Sequence, residues 1–96
     1  MASTRRPRRL VHKQLRVDAR RDGTYERLYR AQHGLCAICQ QPAPLERELD
    51  LDHDHRTLAI RGLLCRGCNM RLRPGLTAAW MRAAADYLEG VRHAEA

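Results

Sequence analysis

The chain is expected to fold as a small α+β domain stapled by a metal ion, and three observations lead there. Its four cysteines come as two C-x2-C pairs, Cys36–Cys39 and Cys65–Cys68. The residues between the pairs carry the two-residue alternation of strands, and the residues outside them carry helical spacing. Ninety-six residues with 4% aromatics and no phenylalanine make too modest a core to stand without a staple.

Along the chain, residues 1–23 form a basic arm, with Arg5, Arg6, Arg8, Arg9, Lys13, Arg16, Arg20 and Arg21 set against Asp18 and Asp22. Its first ten residues lack periodicity and are expected to be disordered alone, able to lie along phosphates without reading bases. Residues 24–96 form a single domain. Thr24 is placed to cap a helix that carries Tyr25, Leu28 and Tyr29 on one side, and Gly34 is placed to end it. After the first knuckle, prolines keep Gln40–Pro44 out of regular structure. Leu49, Leu51 and His53 then alternate with Asp50, Asp52 and Asp54, which predicts a short strand with a bend near its end. Leu58–Leu64 returns antiparallel, and Arg66–Leu72 begins a short helix that Pro74 and Gly75 interrupt. Thr77 caps a last helix to about Glu89, whose Trp80, Ala84, Leu88 and Val91 form a stripe expected to cover the central unit or a partner subunit.

Two C-x2-C pairs suit one tetrahedral zinc ion, since each pair reaches the ion from a tight turn, and four thiolates leave no coordination position open. That zinc is structural. The polar, arginine-rich start, Met1 to Arg9, does not read as a signal peptide, so a reduced site is preferred to disulfides. The formal charge of +7 becomes about +5 with zinc on four thiolates, still basic enough to indicate a polyanionic partner, most often nucleic acid. No apolar run approaches membrane-spanning length.

Asp52-His53-Asp54-His55, together with Asn69 beside the last cysteine, is chemistry of a different kind. Carboxylate and carboxamide oxygens suit a hard divalent cation, and an imidazole with an ordinary pKa near 6.5 suits a general base. Phosphodiester hydrolysis needs both. Asp54 is a candidate support for a histidine or for the zinc-site backbone, or a solvated carboxylate. Arg61 and Arg66 flank the second knuckle as candidate phosphate contacts, as do Arg5, Arg6, Arg8 and Arg9 in the arm. His12, His33 and His93 have no partners at ligand spacing and read as surface residues.

The stretch Cys36-x2-Cys39, Leu51-Asp-His-Asp-His55, Arg61-Gly-Leu-Leu-Cys65, Cys68-Asn69 resembles phage recombination endonuclease VII, a zinc-containing branch of the His-Asn-His nucleases. The resemblance covers roughly residues 34–72. It implies a ββα-metal core flanked by N- and C-terminal helices, with zinc on Cys36, Cys39, Cys65 and Cys68. It further implies Mg²⁺ or Mn²⁺ on Asp52 and Asn69, His53 as general base, and His55 as an auxiliary group near the scissile phosphate. A metal-dependent DNA endonuclease in the cytoplasm of a phage host follows as the expectation. The resemblance carries the nuclease chemistry better than it carries recognition of four-way junctions, so branched or nicked DNA, a homodimer and phage packaging proteins are the partners to test. The competing class is a non-catalytic zinc module that binds nucleic acid or a protein. Leu58 stands where the family commonly has a turn glycine, Arg73 replaces another, and the acidic residue shortly after the motif asparagine is missing.

Overall fold

The computed structural model describes residues 8–73 and 75–90. Helix α1 runs Arg8–Arg21, α2 Thr24–Ala31, strand β1 Asp50–His53, β2 Ile60–Leu64, α3 Arg66–Arg71 and α4 Ala78–Leu88. The architecture is small α+β: a two-stranded antiparallel sheet, with helices before it and after it.

From Arg8 onward the basic segment is helix α1. His12, Leu15 and Ala19 recur at i, i+3 and i+7, one face of a helix, and Ala19 is fully buried. Expectations for residues 1–7, Pro74 and 91–96 lie outside the described residues. The cap of α2 differs from expectation. Gly23, at φ 85°, is the N-cap, Thr24 is the first helical residue, and Asp22 Oδ1 accepts the Thr24 N–H at 2.9 Å. Only a glycine enters that left-handed conformation without strain, which moves the cap one residue earlier. The helix ends at Ala31, before Gly34. Tyr25 joins the core, donates its hydroxyl to the Leu49 carbonyl at 2.7 Å and carries the Arg20 guanidinium over its ring at 3.7 Å.

Ala19, Tyr25, Leu49, Leu51, Leu63 and Leu64 make the core with Cys36 and Cys68, and Leu15, Leu28 and Leu72 pack against it. Gln32, just past α2, clamps β2. Its Nε2 donates to the Leu35 and Leu63 carbonyls at 2.8 and 2.9 Å, and its Oε1 accepts the Leu63 N–H at 2.9 Å. The outer edge of β2 is thereby hydrogen-bonded, as buried backbone requires. Gly62 lies under this clamp, where a Cβ would come within 3.1 Å of Gln32 Oε1.

The pairing Asp50↔Leu64, Leu51↔Leu63 and Asp52↔Gly62 jumps to His53↔Ile60, so Arg61 is an extra residue on β2. Such a bulge bends the strand and re-aims side chains. It supplies the bend expected near the end of β1, and in place of strict alternation Leu51, Asp52 and His53 are all buried. In the turn, Asp54 Oδ1 accepts the N–H groups of Arg56 and Thr57 at 2.7 and 2.9 Å. Leu58, standing in for a turn glycine, still takes the left-handed conformation at φ 66°.

Helix α3 grows directly out of the second knuckle: Cys65 is its N-cap, with Sγ accepting the Cys68 N–H at 3.4 Å. Thr77 caps α4 as expected, its Oγ1 accepting the Trp80 N–H at 3.0 Å. The expectation that the α4 stripe covers the central unit is not met. The helix buries none of its residues, and Trp80, Tyr87 and Leu88 are exposed. Its alanine-rich sequence supports the helix by propensity, while its large apolar side chains, Trp80, Met81, Tyr87 and Leu88, stay exposed.

Candidate metal centre and catalytic cleft

The four cysteine sulfurs converge within 4.8 Å of one another. Tetrahedral zinc with bonds of about 2.3 Å separates its ligands by about 3.8 Å, and the Cys39 and Cys65 sulfurs stand 3.8 Å apart. The donor set therefore fits zinc. Its electrostatics also call for a cation. Burial acts to raise the Cys36 thiol, but backbone N–H groups around it override this and bring it to about 6. Hydrogen bonding to Cys65, desolvation and the other thiols push Cys68 up to about 12. Four sulfurs this close cannot all ionise on their own, and a divalent ion removes the repulsion. One knuckle lies on the loop after α2 and the other at the junction of β2 and α3, so an ion here ties the hairpin and α3 to the rest of the chain.

Asn69 follows Cys68 on α3, which packs on the hairpin, and Asp52, His53, His55 and Asn69 line one cleft of about 220 Å³. The bulge at Arg61 brings Asp52 and His53, neighbours in sequence, to the same cleft. His53 is 3% exposed. Its ring centroid is 4.7 Å from that of His55. Burial, then the nearby His55 and His12, lower its pKa below the ordinary 6.5, against an opposing pull from Asp52. The imidazole is thus kept neutral and able to accept a proton near neutral pH.

Both candidate cation ligands are held by neighbours. Arg61 Nε and Nη2 donate to Asp52 Oδ2 and Oδ1 at 2.7 and 3.2 Å. Asn69 Nδ2 donates to Asp50 Oδ2 at 3.2 Å, a bond that does not use the Asn69 carbonyl oxygen. Two oxygen donors at one cleft suit a hard divalent cation. Arg61, expected as a phosphate contact, is therefore first the ion-pair partner of Asp52. Arg66 and Arg9 are exposed and form no part of the lining of this cleft. Arg5 and Arg6 lie outside the described residues, as does the Arg8 side chain. Asp54 organises the turn rather than a histidine, and the N–H groups of Thr57 and Arg56 hold its carboxyl below the usual range.

One residue of the cleft was missed from sequence. His12 of α1, read as a surface residue, lines the cleft with its ring centroid 5.2 Å from that of His53. The i, i+3, i+7 spacing of His12, Leu15 and Ala19 was the available signal, masked by the arginine density of the segment. His33 is exposed, as expected.

A hairpin leading through a cysteine knuckle into a helix places Asp52, His53 and Asn69 on one cleft beside four cysteines that could hold a zinc ion. The family model of recombination endonuclease VII matches residues 9–90, and the chain belongs to that family. The chain is also 37% identical over 65 residues to the Gene 59 proteins of Mycobacterium phages L5 and D29. That alignment covers 68% of this chain and 37% and 36% of those proteins, so the chain spans little more than a third of their length. No solved structure matches significantly.

Proposed function

We propose that the protein is a metal-dependent DNA endonuclease of the His-Asn-His type, with a ββα-metal core built from β1, β2 and α3. The observation that carries this reading is the convergence of Asp52, His53, His55 and Asn69 on one cleft beside a four-cysteine cluster. Family membership supports it independently.

In this reading Asp52 and the side-chain oxygen of Asn69 would hold Mg²⁺ or Mn²⁺, with Arg61 sharing the Asp52 carboxylate. A divalent cation bound there supplies charge neutralisation at the phosphate and at the departing 3′-oxygen. His53, kept neutral by burial, takes the proton from the attacking water. His55, exposed at the mouth of the cleft, contacts the phosphate and holds it against the His53 ring. Cys36, Cys39, Cys65 and Cys68 act indirectly, fixing α3 and hence Asn69 against β1. The positive charge of the chain favours encounter with DNA, and branched DNA is the substrate to test first. Among the described residues no helix is long and apolar enough to cross a membrane.

The pairing of Asp52 with Arg61 and of Asn69 with Asp50 is what favours the second reading, a zinc module that binds nucleic acid without cutting it. One experiment separates the two. Zinc-loaded protein is incubated with supercoiled plasmid and with a synthetic four-way junction, in Mg²⁺ or EDTA, beside His53→Ala. Cleavage that requires Mg²⁺ and disappears in the variant supports the nuclease, whereas binding of both DNAs without cleavage in Mg²⁺ or Mn²⁺ supports the module.

A further inference from the structure

Next to the catalytic cleft is a second and larger groove, of about 500 Å³. One wall is the turn between β1 and β2, which contributes Asp54, His55 and Arg56, and Arg61 of β2 adjoins it. The other is the link from α3 to α4, with Arg73 and Thr77. Three guanidinium groups therefore face a single open space. Their states differ. Arg61 is occupied by Asp52, but among the described residues neither Arg56 nor Arg73 has an ion-pair partner. Asp54, the carboxylate in the groove, spends one oxygen on the backbone N–H groups of Arg56 and Thr57.

The groove and the catalytic cleft meet at His55 and Leu72, which form part of both linings. A strand whose phosphate lies at His53 and His55 must therefore leave past Arg56 and Arg73 if it follows this groove. We propose that the groove is a phosphate-binding subsite for the nucleotide next to the cleaved bond, with Arg56 and Arg73 as its cationic contacts and the Thr77 end as its outer limit. The proposal rests on the nuclease reading for the position of the cleaved bond, but not for the binding itself. A guanidinium suits this task because its fixed fork of N–H donors matches phosphate oxygens.

The test uses the full zinc-loaded chain and needs no cleavage. Binding of a fluorescein-labelled duplex is measured in EDTA over a range of salt concentrations for the parent, Arg56→Gln, Arg73→Gln, the double variant and Arg82→Gln, an exposed α4 control outside the groove. Each groove variant should weaken binding several-fold. The double variant should lower the slope of log K against log salt by about 1.8, the value for two lost phosphate contacts. Slope and affinity indistinguishable from the Arg82→Gln control would overturn the subsite.

Position is a second test, which does need cleavage: once the cut has been mapped in Mg²⁺, duplexes are made that carry a neutral methylphosphonate one linkage from it. The parent should lose about tenfold in affinity on that duplex and the double variant nothing further. Equal losses in both proteins would also overturn the proposal. A parent that cuts no DNA while the groove variants lose binding would sink the nuclease reading and leave the subsite standing. Normal cleavage with unaltered binding in the variants would do the reverse.

Discussion

Arg61 grips Asp52 with two hydrogen bonds, Nε to Oδ2 at 2.7 Å and Nη2 to Oδ1 at 3.2 Å, across a β-bulge that makes Arg61 the unpaired residue of its strand. The carboxylate is nearly buried, with its side chain 9% exposed, while the guanidinium is 47% exposed. Removing the arginine leaves a poorly solvated charge behind. Arg61→Ala is therefore expected to cost about 1–3 kcal/mol, below the range for fully buried pairs because water reaches the guanidinium side. Arg61→Lys should recover only part, since an ammonium cannot make both bonds. Urea denaturation of the zinc-loaded proteins measures this, and an unaltered midpoint in Arg61→Ala would show the pair to be energetically idle.

His12 packs its ring beside His53 from a helix outside the hairpin. Its expected role is to hold the His53 ring in place. His12→Ala should lower kcat about tenfold with KM little altered, the size of effect that follows small misplacement of a catalytic group. His12→Phe keeps a flat ring and should restore most of the loss. If Phe fails to rescue and KM rises, the His12 nitrogens are contacting substrate instead.

Burial, then the neighbouring charges of His55 and His12, push His53 below its ordinary 6.5, and burial followed by Arg16 does the same to His12. The sign follows directly. As pH falls, the unfolded chain takes up these protons first, so the stability tied to the neutral rings is complete above 6.5 and is lost below it. The urea midpoint should be flat from about pH 7.5 to about pH 6.5 and decline further down, with a shallower decline in His12→Phe. Zinc content, followed in the same samples, separates this from loss of the metal. Parallel curves for the two proteins would show that His12 contributes nothing to the slope.

Zinc removal should unfold the chain. Apparent binding energies of structural zinc sites are about 10 kcal/mol or more, comparable with or above the whole stability of a small domain. Cys65→Ala should be the most damaging single ligand change, since Cys65 also caps α3 and alanine has no side-chain acceptor to replace the cap. Circular dichroism before and after chelation checks the first point. A folded, cooperatively melting apo-protein would mean that the apolar core suffices alone.

Much of the hairpin was legible in sequence, because its signals are local. The cysteine spacing and the strand-forming run Leu49–His53 each depend on residues within a few positions of one another, as does the Thr77 cap of α4. The register was not legible. One inserted residue at Arg61 decides whether Asp52 and His53 point to opposite faces or to one cleft, and a bulge leaves no mark that alternation alone can reveal. The α4 stripe misled because periodicity shows that a helix has an apolar face and not what covers it.

By itself, then, the sequence determined which chemistry the chain carries: four sulfurs paired for one ion, and a carboxylate, imidazoles and a carboxamide beside them. Ligand type and short-range spacing are covalent facts and need no fold to be read. The tertiary structure alone decided what those groups touch. Arg61 meets Asp52, His12 reaches His53, and Arg73 comes to face Arg56 across a groove. These contacts join segments whose approach is set by a bulge and by packing, non-local terms that no window of residues contains.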